Sequence, residues 1–226
     1  MDLEPKIVIL LSTYNGEDYL AEQLDSLLKQ TYSNFIIIIR DDASTDSTEQ
    51  IINHYVERNQ GKIHKLSSIN SNVGPSSSFG LLIKYVIKEK TALGFSRLYM
   101  MLCDQDDIWT EKKLEVQMSE MLNAEQKSPD VPILVHSDLK VVDESKKVIA
   151  ESFVEYQGLE IERNKFTNIV ISNLVTGCTA LFNEELAQIA LPIPDTAIMH
   201  DWWLALIASA FGRVIHIDMP LGEYRQ

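Results

Sequence analysis

Cysteine is scarce in this sequence. Cys103 and Cys178 are its only two and stand far apart, so neither a disulfide framework nor a cysteine zinc site is expected, and a reducing cytoplasmic setting fits. Basic charge is short as well: 20 Lys and Arg stand against 33 Asp and Glu, a formal net charge of −13. Nucleic-acid binding rests on a positive surface, so no nucleic-acid partner is expected. An anionic substrate would be held by a metal ion or by helix N-termini instead. The start Met1-Asp2-Leu3-Glu4-Pro5 has no basic residue, and the apolar run behind it, Ile7 to Leu11, is too short for a signal core or a membrane span. No membrane insertion is expected. Solenoid-length repeats are absent, and low complexity goes no further than Ser76-Ser77-Ser78.

What the chain does have is apolar content, 45% of 226 residues, enough for a sizeable core. Lys6 to Ser12 is a continuous β-branched run that reads as a buried parallel strand. Asn15 is placed to cap a helix striped by Leu20, Leu24, Leu27 and Leu28. Phe35 to Ile39 is the second strand. Asp46, with Glu49 three residues on, resembles a capping pair for a helix carrying Ile51, Ile52, Tyr55 and Val56, which leaves Asp41 and Asp42 unexplained by capping. Lys62 to Leu66 makes a third strand. The turn Asn70 to Pro75 and the serines after it precede a helix with Phe79, Leu82, Ile83, Val86 and Ile87. Leu98 to Cys103 then runs into Asp104-Gln105-Asp106-Asp107, followed by a helical pattern at Leu114, Met118, Met121 and Leu122. This βα repetition predicts an α/β fold with a mostly parallel central sheet covered by helices on both faces.

Beyond residue 125 the pattern loosens. Ile133 to Asp138 reads as a strand, Val141-Val142 with Val148-Ile149 as a small hairpin, and 153–173 as a weakly periodic elaboration suited to an acceptor. Val175 to Asn183 reads as a strand led by Gly177, Glu184 to Ala190 as a short helix, and His200 onward as a helix ended by Gly212. Val214 to Ile217 is a last strand, and Leu221 to Gln226 a polar tail.

Strand ends in a parallel sheet share one edge, so Thr13-Tyr14-Asn15, Asp41-Asp42 and Asp104-Gln105-Asp106 are expected to converge. An aromatic for stacking, a carboxylate for a base edge and a crowded acidic loop for a divalent cation describe a nucleoside-diphosphate site. The plainer alternative is that Asp106 or Asp107 caps the next helix. His136 and His200, each alone, read as structural, and neither cysteine has a basic partner that would make it a nucleophile.

Five motifs in order, Ser-Thr-Tyr-Asn-Gly (12–16), Asp-Asp-Ala-Ser-Thr-Asp (41–46), Asp-Gln-Asp-Asp-Ile-Trp (104–109), Thr-Gly-Cys-Thr (176–179) and His-Asp-Trp-Trp (200–203), resemble those of family-2 glycosyltransferases of the GT-A fold, in particular the bacterial rhamnosyltransferase-like branch. The resemblance runs from residue 6 to the end. It implies one GT-A domain, residues 1–226, with a nucleotide-binding half to about residue 125 and an acceptor-side half after it. It implies an inverting, metal-dependent enzyme using a UDP- or dTDP-sugar, dTDP-rhamnose among them, on a saccharide or lipid-linked acceptor in surface polysaccharide synthesis. Carried over by position, Thr13, Tyr14 and Asn15 would bind the nucleotide, Asp42 or Asp41 read the base, and Asp104 meet the ribose or sugar. Asp106 would bind Mg²⁺ or Mn²⁺, Asp201 act as general base and Trp202 contact the sugar. Relatives continue past Tyr-Arg-Gln with a histidine and a further helical segment, so a C-terminal region beyond Gln226, with peripheral attachment at the inner membrane face, is part of the expectation. Two rivals remain: a non-catalytic nucleotide- or glycan-binding module, and a metal-dependent phosphohydrolase, the latter lacking an evident nucleophile and partner lysine.

Overall fold

The computed structural model describes residues 5–66 and 71–226; Met1 to Glu4 and Asn70 lie outside the described residues. In chain order the elements are β1 (Ile7–Thr13), α1 (Leu20–Leu28), β2 (Phe35–Asp41), α2 (Thr48–Arg58), β3 (Ile63–Lys65), α3 (Pro75–Lys88), β4 (Tyr99–Cys103), β5 (Ile108–Trp109), α4 (Lys113–Lys127), β6 (Ile133–Val142), β7 (Val148–Ala150), α5 (Phe153–Gln157), α6 (Phe166–Ile169), β8 (Leu181–Asn183), α7 (Glu184–Ala190), α8 (His200–Phe211) and β9 (Arg213–Arg225). One sheet joins them in the order β3-β2-β1-β4-β8-β6-β9-β5, with β7 beside β6. Parallel pairing links β3, β2, β1 and β4, and separately β6 with β9. The short β8 is antiparallel to both β4 and β6 and joins the two parallel sets.

The early strands are apolar throughout because both of their faces are covered. Val8, Leu10, Ile36, Ile38, Met100 and Leu102 pack with residues of α3, α7 and α8. Their neighbours Ile7, Ile9, Leu11, Ile37, Ile39, Met101 and Cys103 face the opposite core, with α1, α2 and α4. This alternation is the strand period expressed across two hydrophobic layers.

Several sequence expectations need correction. Asn15 caps no helix: it sits at φ 48, and its Oδ1 accepts from the Thr45 amide at 2.9 Å, tying the first loop to the second. Asp46 is structural, yet its carboxylate accepts from Glu17 and Thr48 amides, while Glu49 pairs with Lys65 rather than closing a capping box. The serines after Pro75 leave the helix end uncapped; Ser78 turns inward to Ser12 and Arg40. Gly177 opens a 3-10 turn, Gly177–Thr179, and the strand begins only at Leu181. The polar tail is the end of β9, paired to β6 as far as Arg225 through two irregularities in register. Met219-Pro220 and Gly222 conceal that strand in the sequence, since neither proline nor glycine favours one.

Candidate active site

Register sets Thr13 beside Asp41 and Leu11 beside Cys103, so the loops after β1, β2 and β4 leave the sheet at one edge. They enclose a cleft of about 530 Å³, lined by Thr13, Tyr14, Asp42 and Asp104 to Asp107, with Gly74, Phe79, Tyr224 and Arg225 also on its walls. A larger recess of about 730 Å³ lies between α3 and the 191–197 segment, but among the described residues Asp195 is the only acid that lines it. Convergent carboxylates, rather than volume, mark the cleft as the site.

Tyr14 is 47% exposed, which leaves its ring free to stack. Thr13 is buried, and its Oγ1 donates to Asp41 at 3.0 Å. Asp41 also accepts from the amide and hydroxyl of Ser44, so its carboxylate is turned into its own loop and does not line the cleft. Asp42 does line it. Its carboxylate accepts from Arg40 at 2.7 Å and from the Gly74 amide at 2.9 Å, which fixes the start of α3 at the cleft wall. This buried charge pair is one whose single-partner removal costs about 3–5 kcal/mol.

In the acidic loop, ligand atoms of Asp104, Asp107 and Cys178 lie within 4.8 Å of one another. Burial holds the Asp104 carboxyl well above its usual range, and the charges of Asp107, Asp106 and Asp201 add to the effect. Burial likewise pushes Asp107 up to about 6, with Cys178 and Lys113 acting against it. Asp107 Oδ2 is buried and has no partner among the described residues. Clustered carboxylates with an orphaned buried oxygen fit a hard divalent cation, whereas burial keeps the Cys178 thiol protonated. Asp106 stands outside that triple, partly exposed on the cleft wall. Asp107 caps no helix, because α4 begins only at Lys113. Arg225 Nε donates to the Asp106 carbonyl at 2.9 Å, and the same guanidinium pairs with Glu22.

Asp201 sits in the first turn of α8, 9% exposed. It accepts from its neighbour's amide, Trp202 N, at 2.6 Å, and burial pushes its carboxyl up to about 6 against the pull of the Trp202 and Gly177 amide dipoles. Gly177 packs directly against His200 and Asp201: a Cβ at 177 would stand 3.4 Å from His200 Nε2 and 3.5 Å from Asp201 Oδ2. Beside it the His200 ring stacks on Phe79 at 4.2 Å. Neither His200 nitrogen has a partner among the described residues, and burial lowers its pKa to about 4. His136 is buried against His216, ring centroids 4.8 Å apart.

The structure does not bring Trp202 to the cleft. Its Nε1 donates to the Ile169 carbonyl at 2.6 Å, and with Trp203 it walls a separate recess beside Ile198 and Met199. Sequence reading also passed over Gln105, Lys113 and Gln117. The last two had a signal: they are polar residues spaced i, i+4 among Leu114, Met118 and Met121, where an apolar stripe is expected. A lysine therefore does stand beside the acidic loop, with its Nζ given to the Cys178 carbonyl.

This arrangement is the GT-A fold of nucleotide-sugar transferases. PcManGT from Pyrobaculum calidifontis, solved with GDP-Man and Mn²⁺, matches 99% of this chain and 57% of its own at a TM-score of 0.70 and 17% identity. The family model described as "Glycosyl transferase family 2" matches residues 8–189, and the chain belongs to that family of glycosyltransferases. The putative teichuronic acid biosynthesis glycosyltransferase TuaG of Bacillus subtilis is 25% identical over 98% of this chain and 79% of its own length. The dTDP-rhamnosyl transferase RfbG of Shigella flexneri is 36% identical over 46% of this chain and 34% of its own. TuaG apart, the chain spans about half or less of the length of the first curated relatives it matches. Among the described residues no helix is long and apolar enough to cross a membrane.

Proposed function

We propose that this chain is a metal-dependent inverting glycosyltransferase that moves a sugar from a UDP- or dTDP-sugar, dTDP-rhamnose being the leading candidate, to a hydroxyl of a saccharide or lipid-linked acceptor in surface polysaccharide synthesis. The observation that carries this reading is the meeting of Tyr14, Asp42 and the Asp104–Asp106 loop in one cleft. The names of RfbG and TuaG support the sugar and the pathway class. The reading makes residues 1–125 the donor half and residues 126–226 the acceptor half.

In this reading Tyr14 stacks on the base, Thr13 and Asn15 hold the loop that carries it, and Asp42, rather than the inward-turned Asp41, meets the base edge. Asp104 accepts from a ribose or sugar hydroxyl. Asp106, with Asp104, would hold Mg²⁺ or Mn²⁺, which supplies Lewis-acid charge to the departing diphosphate. Asp201 takes the proton from the acceptor hydroxyl as that oxygen bonds to the anomeric carbon and the bond from that carbon to the diphosphate oxygen breaks. Attack from the face opposite the leaving group inverts the anomeric centre. A carboxyl raised to about 6 is a stronger base than an ordinary aspartate and still ionised at pH 7.

The test is a donor screen by mass spectrometry, UDP- and dTDP-sugars offered with saccharide and lipid-linked acceptors. The expected result is nucleoside diphosphate released together with a glycosylated acceptor. Release without any acceptor would point to hydrolysis, and binding with no turnover to a non-catalytic module; either overturns the reading.

A further inference from the structure

α4 opens just after the acidic loop, and its inner face carries two side chains foreign to an apolar stripe. Lys113 and Gln117 lie one turn apart and are both fully buried. Lys113 Nζ donates to the Cys178 carbonyl at 2.8 Å, and Gln117 Nε2 donates to the Thr179 carbonyl at 2.7 Å. These are successive carbonyls of the Gly177–Thr179 turn, and the first residue of that turn, Gly177, packs against Asp201, a Cβ there standing 3.5 Å from Asp201 Oδ2.

Stability alone does not select Gln117. A buried ammonium is costly unless it is well partnered. The Lys113 ammonium has its one carbonyl, the Trp109 ring centre 4.3 Å away and the nearby charges of Asp107 and Asp104. Gln117 Oε1 is buried with no partner among the described residues, a desolvation penalty that Leu or Met would avoid. What the two share is the turn they hold. Neither lines the cleft, so neither acts on substrate directly.

We propose that Lys113 and Gln117 are positioning residues for sugar transfer: as a bracket on α4 they fix the Gly177–Thr179 turn, and through the packing of Gly177 against it the Asp201 carboxylate, relative to the acidic loop. The inference rests on Asp201 being the base. A rigid helix then sets the distance between the donor end and the acceptor end of the reaction, a distance two loops would hold poorly. A displacement of about 1 Å between reacting groups costs on the order of 100-fold in rate.

The experiment compares wild type, Gln117→Met and Lys113→Met. Gln117→Met keeps the size, removes both amide donors and leaves every charge in place. Measured for each are UDP affinity in Mn²⁺ by calorimetry, kcat and donor KM, the acid limb of kcat/KM against pH, and amide exchange over residues 176–180. Gln117→Met is expected to keep UDP affinity and donor KM within about twofold, to lose about 10- to 100-fold in kcat, to exchange faster over 176–180, and to move the acid limb to higher pH as the Gly177 amide dipole draws away from Asp201; Lys113→Met should share the loss in kcat and the faster exchange. Should Lys113→Met fail to fold, Gln117→Met decides. Wild-type kcat and an unmoved acid limb in Gln117→Met would overturn the bracket and leave the transferase reading intact. A wild type that binds no UDP and transfers nothing removes the transferase reading, and the bracket with it.

Discussion

Gln105 grips Tyr14 by both of its backbone groups: the Tyr14 amide donates to Gln105 Oε1 at 2.8 Å, and Gln105 Nε2 donates to the Tyr14 carbonyl at 3.0 Å. The loop that presents the aromatic ring and the loop that presents the carboxylates are thereby one unit. Gly16 makes the space, since a Cβ there would stand 2.4 Å from Gln105 Oε1. Gln105→Ala removes two hydrogen bonds worth about 1 kcal/mol each. It should therefore weaken UDP binding about tenfold in a calorimetric titration and lower the melting temperature by several degrees. Unchanged affinity would show that the clamp does not shape the nucleotide site.

Asp201 carries a prediction for activity and one for stability. Its folded pKa, about 6, lies above the unfolded aspartate value, so the ionised carboxylate opposes folding above pH 6, and that penalty fades as pH falls from 6 towards 4. Asp201→Asn should lower transfer at least about 100-fold and leave UDP affinity near wild type. It should also raise stability at pH 7.5 by up to about 3 kcal/mol in urea denaturation. In the wild type, kcat/KM should fall below an apparent pKa near 6. Transfer that survives in Asp201→Asn excludes Asp201 as the base.

The buried histidines act with the opposite sign. His200 and His136 have pKa values lowered by burial to about 4 and about 3. The unfolded chain then takes up protons first, and their contribution to stability, complete above pH 6.5, is lost as pH falls through that value. His200→Leu should therefore lose about 2–3 kcal/mol less than wild type between pH 7 and pH 4.5, read by urea midpoints at each pH. Parallel pH dependence in the two proteins would mean that the ring is not held neutral.

Two glycines should respond in opposite directions. At Gly212, between α8 and β9, a Cβ would fall 1.8 Å from the Pro132 carbonyl oxygen, a backbone atom that cannot step aside. Gly212→Ala should destabilise by about 3 kcal/mol or more. Gly80, inside α3, would place a Cβ only 3.6 Å from Ile193, ordinary contact, and Gly80→Ala should stabilise by roughly 0.5–1 kcal/mol. Thermal melts of the two variants check the pair.

The strands that build the donor side were legible because each is a solid apolar run ending in polar residues, which is how a strand covered on both faces is written. From that followed the meeting of Tyr14, Asp42 and Asp104. The far end was not legible. The last stretch of β9 is broken by Pro220 and Gly222, and only pairing with β5 and β6 makes it a strand. Side-chain direction was out of reach as well: Asp41 and Asp42 are adjacent, yet one turns into its loop and the other lines the cleft. Trp202 follows Asp201 directly, yet its indole is held by Ile169 on α6. The grip of Gln105 on Tyr14 depends on contacts 91 residues apart, which no local pattern records.

The central claim is that the acidic loop and the Tyr14 loop form a metal-assisted nucleoside-diphosphate site. It is tested most directly by titrating UDP and dTDP into the wild type and Asp106→Ala, each in EDTA and in Mn²⁺. The account predicts that Mn²⁺ tightens binding to the wild type by at least about tenfold, as expected for an ion bridging carboxylate and diphosphate, and that Asp106→Ala loses this gain. Equal affinity with and without Mn²⁺, or no binding of either nucleotide, would contradict it.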